Sequence, residues 1–113
     1  MHEVGLVQSA LEIALDHAAQ QGAQQIHRLK LRVGALSGVV PEALQFAFEV
    51  VVRGTMAEGA LLEIEDVPVI CFCPTCQKEF SAPGWFFDCP SCGQPSADVR
   101  QGAELELASL EVS

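Results

Sequence analysis

Cys73-Pro74-Thr75-Cys76 is answered, after twelve intervening residues, by Cys89-Pro90-Ser91-Cys92-Gly93. Each Cys-x-x-Cys pair can supply two soft ligands from one tight turn, and two pairs suit a tetrahedral ion such as Zn(II). Glycine at Gly93 permits a turn that points backbone N–H groups at sulfur. Phe72, Phe80, Trp85, Phe86 and Phe87 surround the pairs in sequence. A segment of about 30 residues cannot bury a large core, so a metal and a few aromatics must supply one. Residues 70–98 are therefore expected to form a zinc-ribbon-like module whose ligands are Cys73, Cys76, Cys89 and Cys92. A closed four-thiolate site leaves no open position for a substrate, which makes the ion structural. The competing reading is redox, with each pair closing into a disulfide. Cys71 is read as the end of a strand entering the module, with an alternative ligand or a redox-sensitive thiol as the sharper readings.

The module interrupts a chain of alternating helical and strand patterns. Val4, Val7, Leu11, Ala14, Leu15 and Ala18 recur at three- and four-residue steps, predicting a helix over 4–21 that Gly22 ends. Strict alternation of Leu29, Leu31 and Val33 with Arg28, Lys30 and Arg32 predicts a half-buried strand over 27–33. Pro41 and Glu42 suit the first turn of a second helix, with Leu44, Ala47, Phe48 and Val51 as its buried stripe and Gly54 as its stop. Strands are expected over 60–67 and 103–112, the latter with a bulge near Ser109 where the apolar phase slips. The first strand carries basic residues and the other two carry acidic ones, so opposite charges should set it beside at least one of them. Two helices packed on a three-stranded sheet give an α+β fold. The expected division is 1–69 plus 99–113 for that domain and 70–98 for the zinc-binding domain.

Composition removes several function classes. The net charge of −9 over 113 residues repels phosphate backbones and anionic membranes, so neither nucleic acid nor membrane is an expected partner. No apolar run approaches the ~20 residues of a membrane span, and no secretory leader pattern opens the sequence. A cytoplasmic location, where thiols stay reduced, is expected. No nucleophile–base pair or phosphate-binding glycine loop is present, so no catalytic residue is assigned and no enzyme is expected. A thiol oxidoreductase would need a basic cluster or helix start beside a cysteine pair, and neither is evident.

Met1-His2-Glu3 carries a second metal chemistry. A free α-amine and an imidazole one residue later can chelate one divalent ion, and deprotonated amides of His2 and Glu3 can complete a planar nitrogen set. Ni(II) and Cu(II) prefer that geometry. The ion must displace protons, so binding should weaken in mild acid. Glu3 is available as a further ligand or as a hydrogen-bond acceptor for the imidazole. The plainer reading of the same residues is a frayed terminus with an incidental histidine. His17 and His27 have no second ligand at useful spacing.

Taken in order, these segments resemble the HypA/HybF family of hydrogenase-maturation nickel metallochaperones. The resemblance rests on Met1-His2-Glu3, on Val33-Gly34-Ala35-Leu36-Ser37-Gly38-Val39-Val40-Pro41-Glu42-Ala43-Leu44, on Phe46-Ala47-Phe48-Glu49, on Gly54-Thr55 with Glu58-Gly59-Ala60, on both cysteine pairs and on Glu104-Leu105-Glu106-Leu107. It implies Ni(II), held through His2 with Met1 and Glu3 adjacent, as a transient cargo. It implies structural Zn(II) on Cys73, Cys76, Cys89 and Cys92. It also implies a nickel-handling GTPase and the [NiFe] hydrogenase large-subunit precursor as partners, with urease maturation proteins served by some relatives. The alternative is a zinc-ribbon protein-interaction module with no delivery role.

Overall fold

The computed structural model describes residues 2–82 and 86–113. Met1 and Trp85 lie outside the described residues. The elements run α1 (His2–Gln20), β1 (Ile26–Gly34), a 3-10 turn (Ala35–Ser37), α2 (Pro41–Val51), β2 (Leu61–Val67), β3 (Ile70–Cys73), β4 (Lys78–Ser81), β5 (Val99–Gln101) and β6 (Leu105–Val112). They form two three-stranded sheets, ordered β2-β1-β6 and β4-β3-β5. The α+β class with two helices is as expected; the short strands β3 and β4 inside the cysteine segment, and β5 just after it, are additional. The chain divides into two compact units, one of Met1–Arg32, Val39–Glu65 and Glu106–Ser113, the other of Val33–Gly38 and Asp66–Leu105.

In the first unit, α1 starts at His2, two residues before the apolar periodicity begins, with Glu3 in its first turn where the helix dipole favours an acid. Val7, Leu11, Ala14 and Ala18 are its buried residues, whereas Val4 and Leu15 are half-buried. Gly22, at φ 69°, ends it: the Ala23 N–H reaches the Ala18 carbonyl at 2.9 Å and that of Gly22 reaches Ala19 at 3.0 Å. On α2, Leu44, Ala47 and Phe48 are buried, and Val52 takes the covered position expected for Val51. The two helices pack against each other.

Charge placed β1 at the centre of its sheet. Arg28 meets Glu63 at 3.3 Å and Glu111 at 3.6 Å; Lys30 meets Glu65 at 3.0 Å; Arg32 meets Glu65 at 3.2 Å and Glu106 at 3.0 Å. The pairs with β2 rise together along both strands, as in a parallel β1-α2-β2 crossover. Those with β6 run oppositely, and backbone bonds join Gly34 to Glu104 and Gln25 to Ser113. The index sum is the same at both ends of that ladder. The bulge expected near Ser109 therefore adds no net residue to β6 between those two ends.

The second unit holds a backbone crossing that admits no side chain. The N–H of Leu36 donates to the Gly102 carbonyl at 2.8 Å. A Cβ on Gly34 would sit 2.1 Å from that oxygen and 2.7 Å from the Ala103 nitrogen. Both are backbone atoms and cannot rotate away. Gly34→Ala is therefore expected to destabilise this unit by about 3 kcal/mol or more, read as a lower denaturation midpoint. Gly38→Ala, in open space at φ 72°, should cost only about 1 kcal/mol.

Candidate metal centre

Four thiols converge in the second unit. The strands β3 and β4 form an antiparallel hairpin whose register ends at Cys73↔Lys78. The turn between them carries Cys76. The Gln77 N–H donates to the Cys73 carbonyl at 2.8 Å, and the Cys76 N–H points at Cys73 Sγ, 3.4 Å away. The second turn repeats this arrangement: the Gly93 N–H donates to the Cys89 carbonyl at 2.8 Å. Both turns close through a left-handed residue, Gly93 at φ 75° and Gln77 at φ 55°. The sequence signalled the glycine but not the glutamine, because a non-glycine in this conformation costs only ~1–2 kcal/mol and leaves no mark in composition.

The four Sγ atoms of Cys73, Cys76, Cys89 and Cys92 lie within 4.8 Å of one another. Contacts of 3.6 Å from Cys73 to Cys92 and 3.9 Å from Cys76 to Cys89 link one turn to the other. Zn–S bonds of about 2.3 Å directed to tetrahedral corners require sulfurs about 3.8 Å apart. The cluster fits that requirement. Packed this closely, the thiols ionise unequally. The Cys89 thiol is lowered to about 6, first by the Cys92 N–H and then by that of Ser91. Cys76 is pushed up to about 12, chiefly by its hydrogen bond with Cys92. A divalent cation among them is what lets four sulfurs carry charge together.

Around the cluster lies a small core of Val69, Cys71, Cys73, Phe80, Ala82 and Cys89, with Leu36, Phe87 and Val99 against it. Cys71 is fully buried, two residues before Cys73 on the same face of β3, and burial raises its thiol. It is packing, not a member of the sulfur cluster. The expected aromatic cluster is smaller than the sequence implied. Phe80 and Phe87 pack as expected, but Phe86 is exposed, and Phe72 lies on the other face of β3 beneath the Arg100 guanidinium, 4.3 Å from its centroid. A residue without a sequence signal, Ser96, ties the second turn to β3: its hydroxyl donates to the Phe72 carbonyl and accepts from the Asp98 N–H at 3.2 Å.

At the other metal candidate, His2 opens α1 with its side chain 64% exposed, and its Nε2 lies 3.3 Å from the Glu3 carboxylate, itself 13% exposed. The N–H groups of the first helical turn have no intrahelical acceptor, so the amides of His2 and Glu3 are not committed to the helix. His17 is exposed on α1, and His27 on β1 contacts the Ser113 hydroxyl at 2.7 Å.

The chain matches, over residues 1–112, the family model described as "Hydrogenase/urease nickel incorporation, metallochaperone, hypA". It is 50% identical over 112 residues to "Hydrogenase maturation factor HypA" of a Picosynechococcus species, covering 99% of each chain. It is 45% identical to the protein of the same description from Chloroflexus aggregans, covering 98% of each. Among solved structures it resembles "Solution structure of the Ni metallochaperone HypA from Helicobacter pylori", with TM-score 0.69, 27% identity, and coverage of 97% of this chain and 96% of that one. A second, "Solution structure of HypA protein", aligns with TM-score 0.74 and 28% identity over 100% of this chain and 97% of that one.

Proposed function

Since this chain belongs to the HypA family of metallochaperones for hydrogenase and urease nickel incorporation, we propose that it takes up Ni(II) at Met1, His2 and Glu3 and passes it on for maturation of the [NiFe] hydrogenase large subunit. Membership also places it among maturation factors and not among enzymes.

The observation that carries the nickel reading is the position of His2: exposed, at the first residue of a helix, with a carboxylate beside its imidazole. Nitrogen donors there are reachable by solvent and by a partner. A carrier needs that property, because its ligands must be exchanged one at a time during transfer. The proposed donors are the Met1 amine, the His2 amide and imidazole, and the Glu3 amide, a set suited to Ni(II). Glu3 is assigned to hold the imidazole by its Nε2.

Cys73, Cys76, Cys89 and Cys92 are proposed to hold a structural Zn(II), supported by the match of their spacing to a tetrahedral sulfur set. When bound, the ion supplies folding free energy to a core too small to stand alone. The proposed division of labour keeps residues 70–98 for zinc and the remainder for nickel. A nickel-handling GTPase and the large-subunit precursor are the proposed partners, with urease maturation proteins as further candidates. Among the described residues no helix is long and apolar enough to cross a membrane, and a cytoplasmic site of action is proposed.

One residue added ahead of Met1 converts the proposed amine ligand into an amide. Nickel affinity of the extended chain, measured by calorimetry, should fall at least ~10-fold while zinc content stays unchanged. Equal affinity would take the amine out of the ligand set.

A further inference from the structure

We propose that the open edge of β6 is a docking site for an extended, basic segment of a partner protein, added to the sheet as a further strand. β6 has β1 as its sheet neighbour on one side; among the described residues nothing pairs with its other side. It is eight residues long, and it carries neither Lys nor Pro, two residues that commonly blunt an exposed edge.

Its two faces specify the occupant. On one, Leu107 and Leu110 are half-buried and Val112 is exposed, so apolar surface is left for a neighbouring strand to cover. On the other, among the described residues, Glu106 and Glu111 each make one ion pair, with Arg32 and Arg28, and their side chains remain 53% and 63% exposed. The acids of the opposite edge are more fully engaged. Glu63 meets both Arg28 and Lys30, and Glu65 meets both Lys30 and Arg32, at 41% and 40% exposure. Spare acceptor capacity is therefore on β6. A strand alternating basic with apolar residues satisfies both faces, and β1 already does so on the inner side. A second copy of β6 fits poorly, because its own Glu106 and Glu111 would oppose those of the first. Backbone bonds along the edge would supply affinity, and the charges would supply selectivity. This surface belongs to the sheet and does not depend on the nickel assignment.

The test uses the full chain with its metal content as purified, and a blocked peptide of the β1 sequence Ile26–Gly34 as probe. Backbone amide shifts should move along Glu106–Val112. A control peptide bearing Arg28→Glu, Lys30→Glu and Arg32→Glu should bind about tenfold more weakly. The E106Q/E111Q double variant, checked for an unchanged amide spectrum outside β6, should also weaken the β1 peptide. Equal binding of the two peptides, absence of any shift at β6, or joint shifts at β2 and β6 from exchange of the peptide with β1 would each overturn the proposal. Concentration-dependent dimerisation through β6 would overturn it in favour of a second copy.

Discussion

His2→Ala is expected to abolish stoichiometric Ni(II) binding, lowering affinity by more than ~100-fold, while zinc content and fold are retained. Loss of an outer-shell partner of a metal ligand alone costs 10–100-fold, so loss of the imidazole should exceed that. The fold should survive because His2 is largely exposed at the helix start, its nearest charged contact is the adjacent Glu3, and alanine is a good helix former. Calorimetry with Ni(II), far-ultraviolet circular dichroism and metal analysis separate these outcomes. Unchanged nickel affinity would exclude His2 as a ligand. Lost affinity accompanied by lost zinc would instead place the effect in the fold.

Cys73→Ser is expected to release zinc and to unfold the second unit. Binding of a structural zinc contributes about 10–16 kcal/mol in small modules, more than the whole stability of most domains. Among the described residues the apolar core beside the cluster has six buried residues, of which Cys73 and Cys89 are two, so little remains to hold β3, β4 and β5 once the ion goes. Amide exchange protection should vanish over β3 to β5 and persist in α1 and α2. Cys71→Ser is the informative contrast. Its sulfur lies in the same core but outside the cluster, so zinc should stay bound, with a loss of about 1–3 kcal/mol for a hydroxyl in an apolar site. Zinc lost from the Cys71 variant but retained by the Cys73 variant would reverse the ligand assignment.

Much of this was legible in the chain because it is local. The four cysteines announce their cluster through spacing, and the alternation of bases with leucines in Arg28–Val33 announces a strand with one wet face. The charge contrast among the strands foretold ion pairing, which the structure realises on both sides of β1. What escaped notice has weak local signatures. The short strands β3, β4 and β5 are three or four residues long and lack a readable period. Gln77 sits in a backbone region favoured by glycine, and Ser96 matters through a carbonyl 24 residues away.

The sequence by itself determined the two helices and the three strands of the first sheet, which residues could grip a metal, and the family to which the chain belongs. These are properties of spacing within a few residues, or of many such spacings in order. Only the tertiary structure decided that β1 is the central strand, that the Gly34 backbone presses against Gly102, and that Cys71 stays out of the sulfur cluster. Each depends on groups brought together across long loops, as Arg32 meets carboxylates 33 and 74 positions away. Closing such loops costs entropy that grows only slowly with their length, so sequence separation barely discriminates among partners. The choice falls to the burial and charge that each pairing achieves in three dimensions.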